Sequence, residues 1–384
     1  MRKHDLRLRA GLWVMVVLAV VAGTLAAGCA PHSSEHVAAV AAAVQPGIPR
    51  YYVELDGKGP VSEFPEPLAA ATVRVTATGA VIARITAPRP YVGFTAVTGA
   101  ADDRTFVLLA HARTNPFTGD IPERFFVLRI DPGAPADTAR ARLTALPIRD
   151  IPSHEPAGNS FLDEQVATIA LSPNARSLAA ILTVEGQNRV YIYNLATGKT
   201  RSWVWNGCHN CDPVALTNPL TLNPGIPALS WTSDGRSVAF TVMYVFPIMT
   251  QLRLLHLSAP GNDVTADSSP FIIHAPESFW HQAVMTPDGT TVLLNFTSAG
   301  GDSGSMLRIS TATGQLATIN TLPGIQTAGY VLVGPLTADT ILWTNDNGSK
   351  LIVADARPGH TLGIYSGGTY TPLPWPAHAV NAAW

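Results

Sequence analysis

Ala228-Leu-Ser-Trp-Thr-Ser-Asp-Gly-Arg-Ser-Val-Ala-Phe-Thr241 reads as an apolar run, a reversal centred on Asp234-Gly235, and a second apolar run. Asp tolerates turn geometry and Gly takes positive φ without steric cost, so two antiparallel strands joined by a tight turn are expected. The same order of residue types returns in Ile169-Ala-Leu-Ser-Pro-Asn-Ala-Arg-Ser-Leu-Ala-Ala-Ile-Leu182 and in Ala283-Val-Met-Thr-Pro-Asp-Gly-Thr-Thr-Val-Leu-Leu-Asn-Phe296. Strong helix signals are missing after residue 50, and β-branched runs recur between Gly, Pro, Asp and Asn clusters, which is the pattern of an all-β domain.

Each hairpin is followed by a third apolar run and another Gly-containing turn. These are Arg189 to Leu195 before Ala196-Thr-Gly-Lys, Leu252 to Leu257 before Ala259-Pro-Gly-Asn, and Met306 to Ser310 before Thr311-Ala-Thr-Gly-Gln. A fourth strand completes each unit, and the units return every 50 to 60 residues or so. Four-stranded units at that spacing suit a propeller, which leaves only short, protected edges. The turns of the three central units resemble the Ser-Pro-Asp-Gly-like inner hairpins of WD-like and TolB-like propellers, a likeness extending more weakly over residues 51–384. That resemblance implies an all-β propeller of about six four-stranded blades, with seven as the alternative. A two-sheet β-sandwich is the competing architecture and leaves the recurring turn unexplained.

Two weaker units run from Tyr91 to Ile148, with Asp102-Asp103 as the turn, and from Gly329 to Trp375, with Leu336-Thr-Ala-Asp ahead of Thr340-Ile-Leu-Trp. A sixth is expected to be composite. Tyr51-Tyr-Val-Glu-Leu, Ala71-Thr-Val-Arg-Val and Val81-Ile-Ala-Arg-Ile supply three strands, and Ala379-Val-Asn-Ala-Ala-Trp384 supplies the inner one, so that N- and C-terminal strands close the ring.

Ahead of these units, Arg2, Lys3, Arg7 and Arg9 precede a stretch from Gly11 to Ala27 that holds no charge. This is the charged and then apolar pattern of an export signal. Leu25-Ala-Ala-Gly-Cys29 resembles a bacterial lipobox, with its leucine one position further from the cysteine than usual. The resemblance implies a signal peptide over 1–28 and lipidation at Cys29; the alternative is an uncleaved signal anchor, short for a bilayer core of about 30 Å. Residues 29–50 are Ala, Ser and Pro rich and are expected to be a flexible tether, leaving 51–384 as the propeller domain outside the cytoplasm, anchored to the cell membrane. The dominance of Arg over Lys, with abundant Ala, Gly, Pro and Thr, fits a GC-rich genome such as an actinobacterium's.

A net charge of -2 with 14% charged residues offers no surface able to neutralise phosphates, which excludes nucleic acid as a partner. The 47% hydrophobic content is enough for a large core.

Cys208 and Cys211, in Trp205-Asn-Gly-Cys-His-Asn-Cys-Asp212, are expected to form a short disulfide in an oxidising exterior. A redox pair, a metal site with His209 and Asp212, and free thiols are the other readings; no βαβ setting and no second Cys pair accompany them. Gly301-Asp-Ser-Gly304 resembles the nucleophile motif of trypsin-like proteases, and Leu109-Ala-His-Ala their histidine motif. The first falls in a Gly- and Ser-rich hairpin, and no Asp partner is evident to orient His111, so Ser303 is read as a loop residue. Gly-x-Ser-x-Gly and phosphate-binding glycine loops are absent. His281, His360 and His378 are read as turn or surface residues, and the tryptophans as core, with Trp203 and Trp205 on one face.

No catalytic constellation, cofactor or metal site is therefore expected. The sequence points to a monomeric, non-catalytic binding or interaction module for a protein or cell-envelope ligand. The alternative is an extracytoplasmic hydrolase or lyase acting on a glycan or small substrate, with residues converging from several blades.

Overall fold

The computed structural model describes residues 49–56, 70–113, 122–133, 139–148, 151, 165–184, 187–205, 229–245, 248–259, 261–274, 278–286, 289–298, 304–312, 316–319, 340–344, 350–355, 363–366, 369–372 and 379–383. Among these described residues there are twenty-four strands in six four-stranded antiparallel sheets, and no helix.

The first sheet holds β1 (Tyr51–Asp56), β2 (Ala70–Val75), β3 (Val81–Thr86) and, from the far end of the chain, β24 (Ala379–Ala383), in the order β24-β1-β2-β3. The expected pairing of N- and C-terminal strands is thus present, with Val53 opposite Ala383. The second sheet is β4 (Tyr91–Gly99), β5 (Thr105–Ala112), β6 (Glu123–Asp131) and β7 (Arg140–Ala145). The third is β8 (Gln165–Leu171), β9 (Ser177–Val184), β10 (Gln187–Asn194) and β11 (Thr200–Val204). The fourth is β12 (Leu229–Trp231), β13 (Ser237–Val245), β14 (Ile248–His256) and β15 (Ser268–His274). The fifth is β16 (Ser278–Met285), β17 (Thr291–Ser298), β18 (Gly304–Ser310) and β19 (Leu316–Ile319). The sixth is β20 (Thr340–Thr344), β21 (Lys350–Asp355), β22 (Gly363–Ser366) and β23 (Thr369–Pro372). Residues 329–339, which open the weaker unit expected from Gly329, lie outside the described residues.

Each of the second, third and fourth sheets buries apolar side chains on both faces. Along β5, Phe106, Leu108, Ala110 and Ala112 pack toward the first sheet. The intervening Val107 and Leu109 pack toward the third. On β9 the alternation repeats: Leu178, Ala180 and Leu182 face the second sheet, Ala179 and Ile181 the fourth. Strands covered on both sides read as continuous apolar runs rather than as alternating ones, which is why Phe-Val-Leu-Leu and Leu-Ala-Ala-Ile-Leu occur here. Each large aliphatic or aromatic side chain so buried contributes about 1.5–3 kcal/mol. Trp203, Trp205 and Trp231 share the core between the third and fourth sheets, the first two together as their alternation with Val204 implied.

The tight turns joining the first two strands of these sheets share one geometry. In Ala100–Thr105, Ser172–Ser177, Thr232–Ser237 and Thr286–Thr291, the first residue's N–H donates to the sixth residue's carbonyl, at 2.8–3.0 Å. The fourth residue takes positive φ in every copy: Asp103, Ala175, Gly235 and Gly289. In three copies the first residue's hydroxyl also accepts from the sixth residue's N–H: Ser172 from Ser177, Thr232 from Ser237 and Thr286 from Thr291. Ala100 has no hydroxyl, and Asp102 takes over that duty, its Oδ1 accepting from Thr105 N at 2.8 Å.

Neighbouring sheets are tied through these same segments. Leu171 N donates to Thr98 Oγ1, Trp231 Nε1 to the Ala170 carbonyl, and Met285 N to Ser230 Oγ, all at 2.9–3.1 Å. The leading strands stand side by side in series: β24 beside β4, then β8, β12 and β16, with β20 also beside β24.

Candidate functional site

The turns gather at one end of the sheets. Ala101 N donates to the Pro173 carbonyl, linking the second and third, while Gly235 lies against Asn174 and Gly289 against Ser233. Connections at this end between first and second strands are uniformly short. From the opposite end leave the connections 57–69 and 113–122, and longer ones, 146–164 and 205–228, follow the outermost strands β7 and β11. Long connections held on a rigid frame are where binding residues concentrate.

Between the two ends run the leading strands. Among the described residues, β4, β8, β12, β16 and β24 carry no Asp, Glu, Lys or Arg. Their polar side chains are amides, hydroxyls, indoles and one imidazole. Three of them also bulge at the same step, five residues before the turn begins, where pairing with the next strand skips Thr95, Ala167 and His281. A bulge leaves its extra residue unpaired and re-aims the local chain. Period-2 patterns in sequence do not reveal it, because it exists only in the register between two strands. His281, read from the sequence as a turn or surface residue, lies within β16 at this bulge.

Toward the long-connection end, His111 on β5 stands directly across from Glu123 on β6, with Nδ1 3.6 Å from Oε1. Glu123 is buried, its N–H donating to the Ile151 carbonyl and its carbonyl accepting from the Ile151 N–H. This carboxylate partner was not legible in the sequence, because the connection 113–122 hides the register of the two strands. A His with an acidic neighbour has the means to move a proton. The nucleophile motif gives it no serine here: Gly301, Asp302 and Ser303 lie outside the described residues, and Gly304 is the first residue of β18.

Tyr193 and Asp234 depart from ordinary titration. Burial between sheets, and then the neighbouring Tyr191, push the Tyr193 hydroxyl well above the usual phenol range. Asp234 is held below the usual carboxylate range, first by the Arg236 N–H and then by the Thr232 hydroxyl. Neither lies on a leading strand, and both shifts follow from packing or turn geometry. Arg253 is buried and donates to Ser268 Oγ, Gln251 Oε1 and the Thr265 and Ser268 carbonyls, a neutral cage that locks β14 to β15.

Cys29, Cys208, His209, Cys211 and Asp212 lie outside the described residues, as do His360, His378, Trp375 and Trp384. Among the described residues no group of three or more His, Cys, Asp or Glu is placed to hold a metal ion.

No protein-family model and no curated protein sequence matches the chain. It is similar to TolB from Acinetobacter baumannii, at 14% identity and a TM-score of 0.49 over 87% of this chain and 65% of that one. It is also similar to dipeptidyl peptidase 4 from Porphyromonas gingivalis, at 12% identity and 0.40 over 84% of this chain and 44% of the other. A third likeness is to the β-propeller domain of the Trilobed protease from Pyrococcus furiosus, at 8% identity and 0.37, over 73% and 71%. The chain thus spans less than two thirds of the first two. It is an all-β protein of repeated four-stranded antiparallel sheets.

Proposed function

We propose that the six sheets are the blades of one propeller closed by β24, and that the chain is an extracytoplasmic binding module that presents its long-connection end to a protein or cell-envelope ligand. The observation that carries this reading is the uncharged row of leading strands. A catalytic channel needs acids, bases or ligated metal, and perturbed carboxylates or histidines there would be its mark. The polar groups that recur from sheet to sheet are consumed in turns and inter-sheet ties.

The same reading takes residues 1–28 as a signal peptide, Cys29 as a lipid anchor, 29–50 as a tether and 51–384 as a monomeric propeller, with Cys208 and Cys211 bridged in the connection 205–228. The charged and apolar N-terminal pattern and the lipobox-like Leu25-Ala-Ala-Gly-Cys29 support the address. Cross-linking of intact cells making the tagged protein, with a Cys29→Ser control, tests the module. Capture of one discrete protein through residues 113–122, 146–164 or 205–228 is the expected result. Reproducible capture through no such segment overturns it.

The His111–Glu123 pair favours a second reading, an extracytoplasmic hydrolase or lyase acting on a glycan or small substrate. Under that reading, turnover of such a substrate falls in Glu123→Gln and in His111→Gln while the melting temperature holds.

A further inference from the structure

In the second to fifth sheets the second strand opens on a hydroxyl, while the residue directly across from it on the next strand varies. Thr105 faces Arg129, Ser177 faces Asn194, Thr291 faces Ser310 and Ser237 faces His256. Asn194 spends its side chain on the turn that follows, its Oδ1 accepting from Ala196 N, Thr197 N and Thr197 Oγ1. His256 does not. The turn after it is held by backbone, Ala259 N donating to the His256 carbonyl, and the imidazole lies between two serines. Nδ1 is 3.2 Å from Ser237 Oγ, and Nε2 is 3.2 Å from Ser269 Oγ.

These side chains come from the adjacent strands β13, β14 and β15, on the face that Leu254 turns toward the fifth sheet. Ser237 is buried, whereas His256 and Ser269 are exposed. The inner hydroxyl therefore holds the ring, and the outer one is open to solvent. Neither hydroxyl is committed elsewhere among the described residues. A neutral imidazole donates at one nitrogen and accepts at the other. In the tautomer that donates Nδ1–H to Ser237, Nε2 accepts from the Ser269 hydroxyl. That is the order of orienting group, base and nucleophile used in acyl transfer, with a hydroxyl in place of the orienting carboxylate. An uncharged orienting group gives little support to an imidazolium, so the arrangement suits esters whose leaving group is already stable.

We propose that Ser269 is an acyl-accepting nucleophile for activated esters, with His256 as its general base and Ser237 as the residue that positions the base. Ser269 Oγ adds to the ester carbonyl as its proton passes to His256 Nε2. The bond to the leaving oxygen then breaks, that oxygen takes the proton from His256, and the acyl group stays on Ser269. Water, giving a proton to His256, cleaves the acyl-serine, releases the carboxylic acid and restores both side chains. The site lies at the turn end, away from the long connections, so it stands or falls apart from the binding surface proposed above.

The test treats the full chain with a biotinylated fluorophosphonate and locates the modified residue by peptide mass spectrometry, with p-nitrophenyl acetate hydrolysis followed in parallel. Labelling forms a bond from Ser269 Oγ to phosphorus and expels fluoride, the serine proton again passing to His256. Label should appear on Ser269 and be lost in Ser269→Ala. In His256→Asn, a residue type that the third sheet holds at the matching position, labelling should fall about a hundredfold, the lower end of what a placed general base contributes. Ser237→Ala should slow labelling and hydrolysis about fivefold, the worth of one neutral hydrogen bond. Ser237→Thr, which matches Thr105 and Thr291 in the sister sheets, should keep both rates. Absence of label from Ser269 in the wild-type chain overturns the proposal, and so does equal labelling in His256→Asn. Hydrolysis that survives Ser269→Ala but is lost in His256→Asn makes the imidazole itself the nucleophile and overturns it as well. A loss in Ser237→Thr as large as in Ser237→Ala removes Ser237 from its positioning role.

Discussion

Gly198 and Gly235 hold nearly the same backbone angle, φ of 69° and 67°, in opposite surroundings. A Cβ built on Gly198 would lie 2.1 Å from the Pro147 carbonyl oxygen and 2.9 Å from its carbon. On Gly235 it would meet nothing nearer than Asn174 Nδ2, at 3.7 Å. The first glycine is required by a neighbouring backbone, the second only by its own φ. The sister turn makes the distinction visible, since Ala175 occupies the Gly235 position with φ 54° and Asp103 does so with 58°. Left-handed backbone alone is therefore affordable in this fold, whereas close approach of the segment after β7 to the third sheet is not negotiable.

Substitutions follow from that contrast. Gly198→Ala adds a backbone clash to the φ penalty and should cost about 3–5 kcal/mol, read as a large fall in the denaturant midpoint; a loss under about 1 kcal/mol would mean that Pro147 can move aside. Gly235→Ala carries only the conformational penalty, offset in part by the lesser freedom of its unfolded chain, and should cost about 0.5–1 kcal/mol net in the same measurement. Thr232→Val removes the hydroxyl that accepts from Ser237 N and should lower stability by about 1 kcal/mol, leaving the turn's backbone bond in place.

Acid sharpens the comparison at Asp234. Its folded carboxyl titrates lower than an unfolded one, so the stability it lends is present above about pH 4 and lost as pH falls through the folded value. Asp234→Ala should therefore narrow the gap between melting temperatures at neutral and acid pH by a small margin. The smallest effect belongs to Ala175→Gly. Relief of φ strain and greater freedom of the unfolded chain oppose each other, and the net change should stay below about 0.5 kcal/mol.

The turn was legible wherever Asp-Gly or Asn-Ala sat between apolar runs, because a few adjacent residues carry the whole geometry. Even the composite first sheet could be read, since the run from Ala379 has the pattern of a strand and the three strands from Tyr51 lacked an inner one. What escaped reading depends on register or on distant partners. The bulges at Thr95, Ala167 and His281 exist only between strands. Glu123 meets His111 only once the connection between β5 and β6 has set their alignment. Arg253 looks like any surface arginine until Ser268 and the Thr265 carbonyl enclose it.

The pairing of β24 with β1 carries a consequence for how the molecule is made. A chain emerging from its N-terminus delivers β1, β2 and β3 first, yet the strand that flanks β1 arrives last. Until residues 379–383 are out, one edge of the earliest sheet stays open to any other extended segment nearby. The first sheet is therefore completed only after the strands of the other five have emerged. A ribosome stall or a clipped tail would leave the first sheet, rather than the last, in search of a partner.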